Sequence, residues 1–214
     1  MCGRYVLYGP GSRLVEGFDL RATPPLLPRY NIAPGSPVLA ILQGPEGRRA
    51  QTLRWGLKRN GSVPNVRDDS VAKPWAWRLM HERCVLPADG FYEWQAPNDP
   101  GARKQPWYVS ASSGGFLAFA GVLGHWDEAG VALFTTGPNG TMRPIHERMP
   151  VLLDAAGVAR WLDPHTPAAQ AAQLLRPAPD AAIRAWPVST AVNDAHHEGA
   201  QLIERLPGEP GEPG

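Results

Sequence analysis

Apolar residues fall in short runs: RYVLY at Arg4–Tyr8, PVLAIL at Pro37–Leu42, QTLRWGL at Gln51–Leu57, CVLPADGFYEW at Cys84–Trp94, PWYVSA at Pro106–Ala111, FLAFAGVLGHW at Phe116–Trp126, VALFTT at Val131–Thr136, MPVLL at Met149–Leu153 and IRAWPVS at Ile183–Ser189. Their length, their β-branched and aromatic content and the Gly, Pro and Asn clusters between them predict strands separated by turns. Helical spacing is rarer and brief. It occurs in PWAWRLMHER with Pro74 in the first turn, in DAAGVARWL, and in HTPAAQAAQLL with Thr166 as cap and Pro167 at the first helical position. No repeat, linker or regular strand–helix alternation divides the chain. The expectation is one α+β domain over residues 2–206, strand-dominated with short helices outside, and a disordered Gly/Pro/Glu tail over 207–214.

Composition narrows the classes. The 214 residues are 43% hydrophobic and 19% charged, enough to bury a core and unlike a disordered or fibrous chain. No apolar run reaches the roughly 18 residues of a membrane span, and MCGRYVLYGPGSRL lacks the apolar core of a signal peptide, so a soluble, cytoplasmic protein without a membrane partner is expected. Two cysteines, Cys2 and Cys84, are too few for a disulfide scaffold or an all-cysteine zinc site. Cys84, before a Val-Leu pair, reads as packing. Adjacent His196 and His197 supply no spaced metal ligands, so neither metal nor cofactor is expected. The net charge of +1 hides an asymmetry: Arg48–Arg83 holds nine Lys and Arg against three Asp and Glu, whereas Pro150–Gly214 holds four against eight. A local basic segment is the footprint a polyanion needs, although charged faces are commonly only solvated.

Cys2 follows the initiator methionine, and a small second residue permits removal of Met1. The mature chain then starts with a 1,2-aminothiol, whose amine and thiol have reference pKa values of about 8 and 8.5. The amine condenses with an aldehyde to an imine, and the thiol closes on it to a five-membered thiazolidine. Such a nucleophile needs groups that hold it and move protons. Asn65 in VPNVRDD has an amide for the first task, though Asn after Pro also suits a turn. Glu93, in the apolar run GFYEW, is either desolvated or paired, and both states suit proton transfer; it also fits the outward face of a half-buried strand. His146 in RPIHERMP titrates near neutrality, or is structural.

Seven motifs stand in one order: MCGRY at the start, RYNIAPG at Arg29–Gly35, RWGL at Arg54–Leu57, NVR at Asn65–Arg67, LPADGFYEW at Leu86–Trp94, IHERMP at Ile145–Pro150 and PVSTAVN with EGAQLIE near the end. Together they resemble the SRAP (SOS response associated peptidase) family of abasic-site processing proteins, over nearly the whole chain from Cys2 to about Glu204. The resemblance implies a mainly antiparallel, barrel-like β core flanked by short helices. It also implies capture of abasic sites in single-stranded DNA, whose ring-opened sugar exposes an aldehyde, as a thiazolidine on Cys2. Carried over by motif, Asn65 positions the amine, Glu93 assists proton transfer, and His146 promotes ring opening and forms or reverses the adduct. Arg4, Arg67 and Arg148 are carried over as phosphate contacts, Pro34 as a wedge against a base beside the lesion, and Trp94 as an aromatic face. Weak lyase activity from the imine, slow reversal, a thiol-peptidase classification and a monomer complete the implied picture.

The chain departs from the family pattern in two places. KRNGSVPN after RWGL is shorter than the usual loop, and Asp69 stands where a Glu is usual. Lys58, Arg59, Trp75 and Trp77 are replacements for the lost loop contacts, with Trp75 and Trp77 reading better as core. Two other classes remain: an N-terminal-nucleophile amidohydrolase, which also begins Met-Cys-Gly, and a non-covalent single-stranded nucleic-acid binding module with salt-dependent affinity that survives loss of the thiol.

Overall fold

The run CVLPADGFYEW, continuous in sequence, belongs to two different sheets in the computed structural model, which describes residues 2–58, 61–97, 99, 101–125 and 128–207. Asp89 is the hinge between strands β8 (Arg83–Ala88) and β9 (Gly90–Gln95). Its carboxylate accepts from the backbone N–H groups of Tyr8 and Gly9 at 2.7 and 2.8 Å, its own N–H donates to Val6, and its carbonyl accepts from the Tyr108 hydroxyl. Glycine is required beside it, since a Cβ at Gly90 would enter the Tyr108 ring.

The first sheet has five antiparallel strands in the order β14 (Ile183–Pro187), β10 (Gln105–Ala111), β9, β1 (Arg4–Leu7) and β2 (Arg29–Ile32). The second has seven strands and closes on itself. Strand β11 (Leu117–His125) pairs β8, β8 pairs β3 (Pro37–Gly44), β3 pairs β4 (Gly47–Trp55), β4 pairs β12 (Ala129–Thr136), and β12 returns to β11. Closure removes the exposed edges that an open sheet would leave. The barrel is mainly antiparallel, as expected; β12 alone takes parallel neighbours, β4 and β7 (Asn65–Arg67), on one edge, while β13 (Met149–Pro150) adds antiparallel on the other. A small hairpin, β5 (Leu57–Lys58) with β6 (Ser62–Val63), leads from β4 into β7.

The main core lies between the sheets and inside the ring. Edge-on aromatic pairs run through it: Tyr5 with Trp55 and Phe119, Phe91 with Phe119, and Phe134 with Trp161. Cys84 is buried packing there. A second cluster on the other face of the five-stranded sheet joins Val6, Tyr92 and Tyr108 to Val188, Val192 and Leu202. It is covered by the 3-10 turns Thr190–Asn193 and Ala200–Ile203.

Helices lie outside. Helix α1 (Gly11–Phe18) was not expected from the sequence, because glycines dilute its pattern; Leu14 and Phe18, one turn apart, bury its inner face. Helix α2 (Pro74–Leu79) starts on Pro74 as expected. Helix α3 (Ala155–Leu162) is capped by Asp154, which accepts from the Gly157 N–H at 2.7 Å. Helix α4 (Ala168–Ala172) is shorter than its pattern: Pro167 is its N-cap, and Thr166 lies outside it, its hydroxyl donating to Asp163. RYNI is a strand that the sequence reading passed over, whereas MPVLL is a strand only at Met149–Pro150, and Gly56 interrupts QTLRWGL. Trp75 packs against the core, but Trp77 is exposed, because the helical turn between them points it outward. No described helix is long and apolar enough to cross a membrane. The tail from Gly208 onward, and Arg59, lie outside the described residues.

Candidate active site

Four segments distant in sequence bring Cys2, Asn65, Glu93 and His146 to one rim of the barrel. Cys2 precedes β1 and is fully buried, with its thiol facing the Arg4 carbonyl at 3.8 Å. Asn65 opens β7, which is held parallel to β12 with Asn65 opposite Leu133 and Arg67 opposite Thr135. The Pro64 carbonyl fixes this approach by accepting from the Trp55 indole and from the Leu133 N–H. The Asn65 amide then donates to the Cys2 carbonyl at 2.9 Å. Its Oδ1 is buried and has no hydrogen-bond partner among the described residues, so an acceptor stands beside the backbone of Cys2.

Strand alternation turns Phe91 and Glu93 toward the inner side of the five-stranded sheet and Tyr92 and Trp94 toward the second cluster. Glu93 is 1% exposed. Burial raises its pKa to about 7, with the positive chain terminus opposing the rise. His146 comes from a single helical turn after β12. The Asn139 side chain accepts from the Met142 N–H at 3.0 Å, the His146 N–H closes the turn on Met142, and buried Met142 and Ile145 anchor it. Gln95 ties this turn to β9 by donating to the Pro144 carbonyl at 2.9 Å. The His146 Nε2 thus stands 3.8 Å from a Glu93 carboxylate oxygen. Its Nδ1 lies 3.0 Å from the Arg148 N–H and 3.1 Å from the Arg148 carbonyl, so either tautomer finds a partner there while Nε2 faces Glu93. Desolvation, then the positive terminus, lowers the His146 pKa, so the ring is neutral near pH 7.

Burial, and next the Glu93 carboxylate, push the Cys2 thiol well above its ordinary range; the terminal ammonium and the contact with the Arg4 carbonyl work against the rise. The resting sulfur is therefore a thiol, and Glu93 is the group balanced between proton donor and acceptor near neutrality.

The remaining expected site residues surround this cluster with different geometries. Pro34 is exposed at the apex of a turn over Ala33–Ser36, with Gly35 at φ +91° and the Ser36 N–H donating to Ala33 at 3.1 Å. Only glycine suits that third position, with proline before it. Arg4 is half-buried and donates to the Asn31 side chain at 2.9 Å and the Val192 carbonyl at 2.8 Å. Trp94 donates to the Asn193 side chain at 2.7 Å, on the face opposite Glu93. Arg67 is exposed and forks onto Asp69, and Arg148 pairs with Asp68 at 2.8 Å while Thr136 donates to the same carboxylate at 2.7 Å. Lys58 pairs with Glu128.

Sequence reasoning assigned no role to Asn31, Asp68, Asn139 or Asn193. The Asn31 amide donates to the carbonyls of Val192, Asp194 and His197, welding the C-terminal loop to β2. That loop holds His196 and His197 exposed, the latter against the Ala191 carbonyl. An asparagine before a buried isoleucine in RYNI is the one signal in the sequence, and it does not name its partners.

A family model described as SOS response associated peptidase (SRAP) matches residues 1–195. The abasic site processing protein YoaM of Bacillus subtilis is 33% identical, with 95% of this chain and 98% of that protein covered. The abasic site processing protein HMCES of Xenopus tropicalis is 30% identical over 84% of this chain and 66% of its own length. A crystal structure of a protein from Bacteroides thetaiotaomicron superposes with a TM-score of 0.81 over 96% of this chain and the whole of the other, at 20% identity. With the family model matching residues 1–195 and a relative 33% identical over 95% of this chain, the chain belongs to the SOS response associated peptidase (SRAP) family.

Proposed function

We propose that this protein captures abasic sites in single-stranded DNA as a covalent adduct on Cys2, after loss of Met1, and thereby shields the lesion from strand cleavage. The observation that carries this reading is the placement of a buried carboxylic acid balanced near pH 7, Glu93, beside the Nε2 of His146, on the rim where the Asn65 amide grips the backbone of Cys2.

In the unprocessed chain the Cys2 nitrogen is an amide and carries no nucleophilic lone pair. Removal of Met1 turns it into an amine, next to the unspent acceptor Oδ1 of Asn65. The ring-closed sugar is opened to its aldehyde with His146 moving the hydroxyl proton. The amine adds to the aldehyde carbon, Glu93 in its acid form gives a proton to the departing hydroxyl, and one water leaves with the imine. The thiol sulfur then bonds to the imine carbon while its proton passes to the imine nitrogen, giving the thiazolidine. Protonated Glu93 favours loss of water, and ionised Glu93 recovers the proton, so one group near its midpoint serves both directions. Reversal through Glu93 and His146 and a weak β-elimination from the imine follow from the same intermediates. The relatives named for abasic site processing support the substrate class. We infer further that the protein works as a cytoplasmic monomer, nucleoid-associated while bound to DNA, and that its thiol-peptidase classification reflects exposure of Cys2.

The test is a denaturing gel with an abasic single-stranded oligonucleotide and protein whose Met1 removal is verified by mass. A shifted band is expected, absent with Cys2→Ala and with Met1 retained. Equal bands in all three preparations would refute the reading.

A further inference from the structure

Two of the arginines expected to hold DNA phosphates are already occupied by carboxylates of the chain. The Arg67 fork closes on Asp69, with Nη2 to Oδ2 at 2.6 Å and Nε to Oδ1 at 3.1 Å, and both side chains are more than half exposed. Arg148, its side chain 12% exposed, donates from Nη2 to Asp68 at 2.8 Å and to the Thr135 hydroxyl at 3.2 Å. Thr136 donates to the second Asp68 oxygen and fixes that carboxylate in place. The Arg148 Nε is buried with no hydrogen-bond partner among the described residues. The two carboxylates are consecutive and directly follow Arg67, so one short segment, Asn65–Asp69, carries the Cys2-gripping amide and both counter-ions.

Resting on the reading above, we infer that Asp68 and Asp69 are built-in stand-ins for DNA phosphates, which lower affinity for undamaged single strands so that retention depends on the covalent step at Cys2. A carboxylate and a phosphate present similar paired oxygens to the planar arginine fork. A strand phosphate can take Arg67 or Arg148 only by displacing Asp69 or Asp68. The displaced carboxylate then draws a cation from solution. That uptake cancels the counter-ion released from the DNA, so these two arginines add contacts with little gain in affinity and little salt dependence. The exposed Arg67–Asp69 pair exchanges easily; the Arg148–Asp68 pair, half-enclosed and braced by Thr136, exchanges less readily.

Binding of an undamaged single-stranded oligonucleotide is measured by fluorescence anisotropy between 50 and 300 mM salt for wild type, Asp69→Ala, Asp68→Asn and the double variant, with thermal melts alongside. Asp69→Ala is expected to bind about twofold to fivefold more tightly near 0.1 M salt, the range of an exposed ion pair. The slope of log K against log salt should steepen by about 0.7 for each arginine released. Because Asp69 is exposed, its variant keeps the fold and decides the matter even if Asp68→Asn loosens the loop. Covalent capture of an abasic oligonucleotide by wild type is run in parallel. Unchanged or weaker binding and an unchanged slope for Asp69→Ala, with wild type still capturing abasic DNA, would overturn the inference alone. Failure of wild type to capture would overturn the functional reading and the inference with it.

Discussion

Two buried carboxylates stand four residues apart in LPADGFYEW, and the protein treats them in opposite ways. Asp89, at the hinge between sheets, is enclosed by two backbone N–H donors at 2.7 and 2.8 Å, with Arg13 at 3.9 Å. Its oxygens are spent on holding the connection between β1 and α1 to the β8–β9 corner. Glu93, equally hidden, keeps a pKa raised to about 7 by desolvation and faces an imidazole 3.8 Å away. Burial alone therefore does not mark the acid proposed to move protons. At Asp89 two backbone N–H donors hold the carboxylate in place, whereas at Glu93 desolvation outweighs the terminal ammonium and the Trp94 N–H that favour its ionised form, a balance that suits the proposed role in proton transfer.

The largest expected effect separates the two by activity. Glu93→Gln keeps the shape but cannot exchange a proton, and the rate of abasic-site capture on denaturing gels should fall by about 10²- to 10⁴-fold. The same assay on Asp89→Ala, normalised to folded protein, should show a change of no more than a few-fold.

Stability should rank them the other way. Asp89→Ala leaves the buried Gly9 N–H and the part-buried Tyr8 N–H without an acceptor, at about 1–3 kcal/mol each, and urea unfolding should register a loss of about 3 kcal/mol. Glu93→Gln should stabilise the fold at pH 8. The folded-state pKa of Glu93 lies above the ordinary value of 4.5, so the native protein holds this proton more tightly than the unfolded chain does. Its contribution is fully present below about pH 4.5 and is lost as pH rises through about 7, by about 3 kcal/mol at most. The gap between wild type and Glu93→Gln should therefore open between pH 4.5 and 8; a constant gap over that range would remove the desolvated-acid account.

The smallest effect concerns the residue beside Glu93. Trp94→Phe loses the indole hydrogen bond to Asn193, about 1 kcal/mol of stability. Because Trp94 faces the second cluster, the capture rate of this variant should stay within a few-fold of wild type. A hundredfold loss would mean that the outer face of the sheet takes part in the reaction.

Much of this was legible in the sequence because local physics determines it. The strand runs and the Pro74 start of α2 each follow from residues within a few positions of one another. Glu93 was legible as a charged residue in an apolar strand, and Cys2 through the chemistry of an N-terminal aminothiol. Closure of the ring was not, since it depends on β12 returning to β11 and accepting two parallel neighbours, pairings that no local pattern encodes. The same limit hid the partners of the arginines. Arg67 and Arg148 read as free phosphate forks, and only the fold shows that Asp68 and Asp69 reach them first. Helix α1 went unread because Gly11 and Gly17 weaken its propensity, and packing of Leu14 and Phe18 outweighs that cost.

The central claim is that a thiazolidine, not a bare imine, joins Cys2 to the lesion. Intact-mass measurement of the adduct of wild type and of Cys2→Ser with an abasic oligonucleotide, heated with and without borohydride, tests it most directly. The account predicts that the wild-type adduct has the mass of protein plus oligonucleotide less one water and survives heating without reductant, whereas Cys2→Ser gives an adduct only after reduction. A wild-type adduct that survives only when reduced, or a Cys2→Ser adduct as stable as that of wild type, would contradict it.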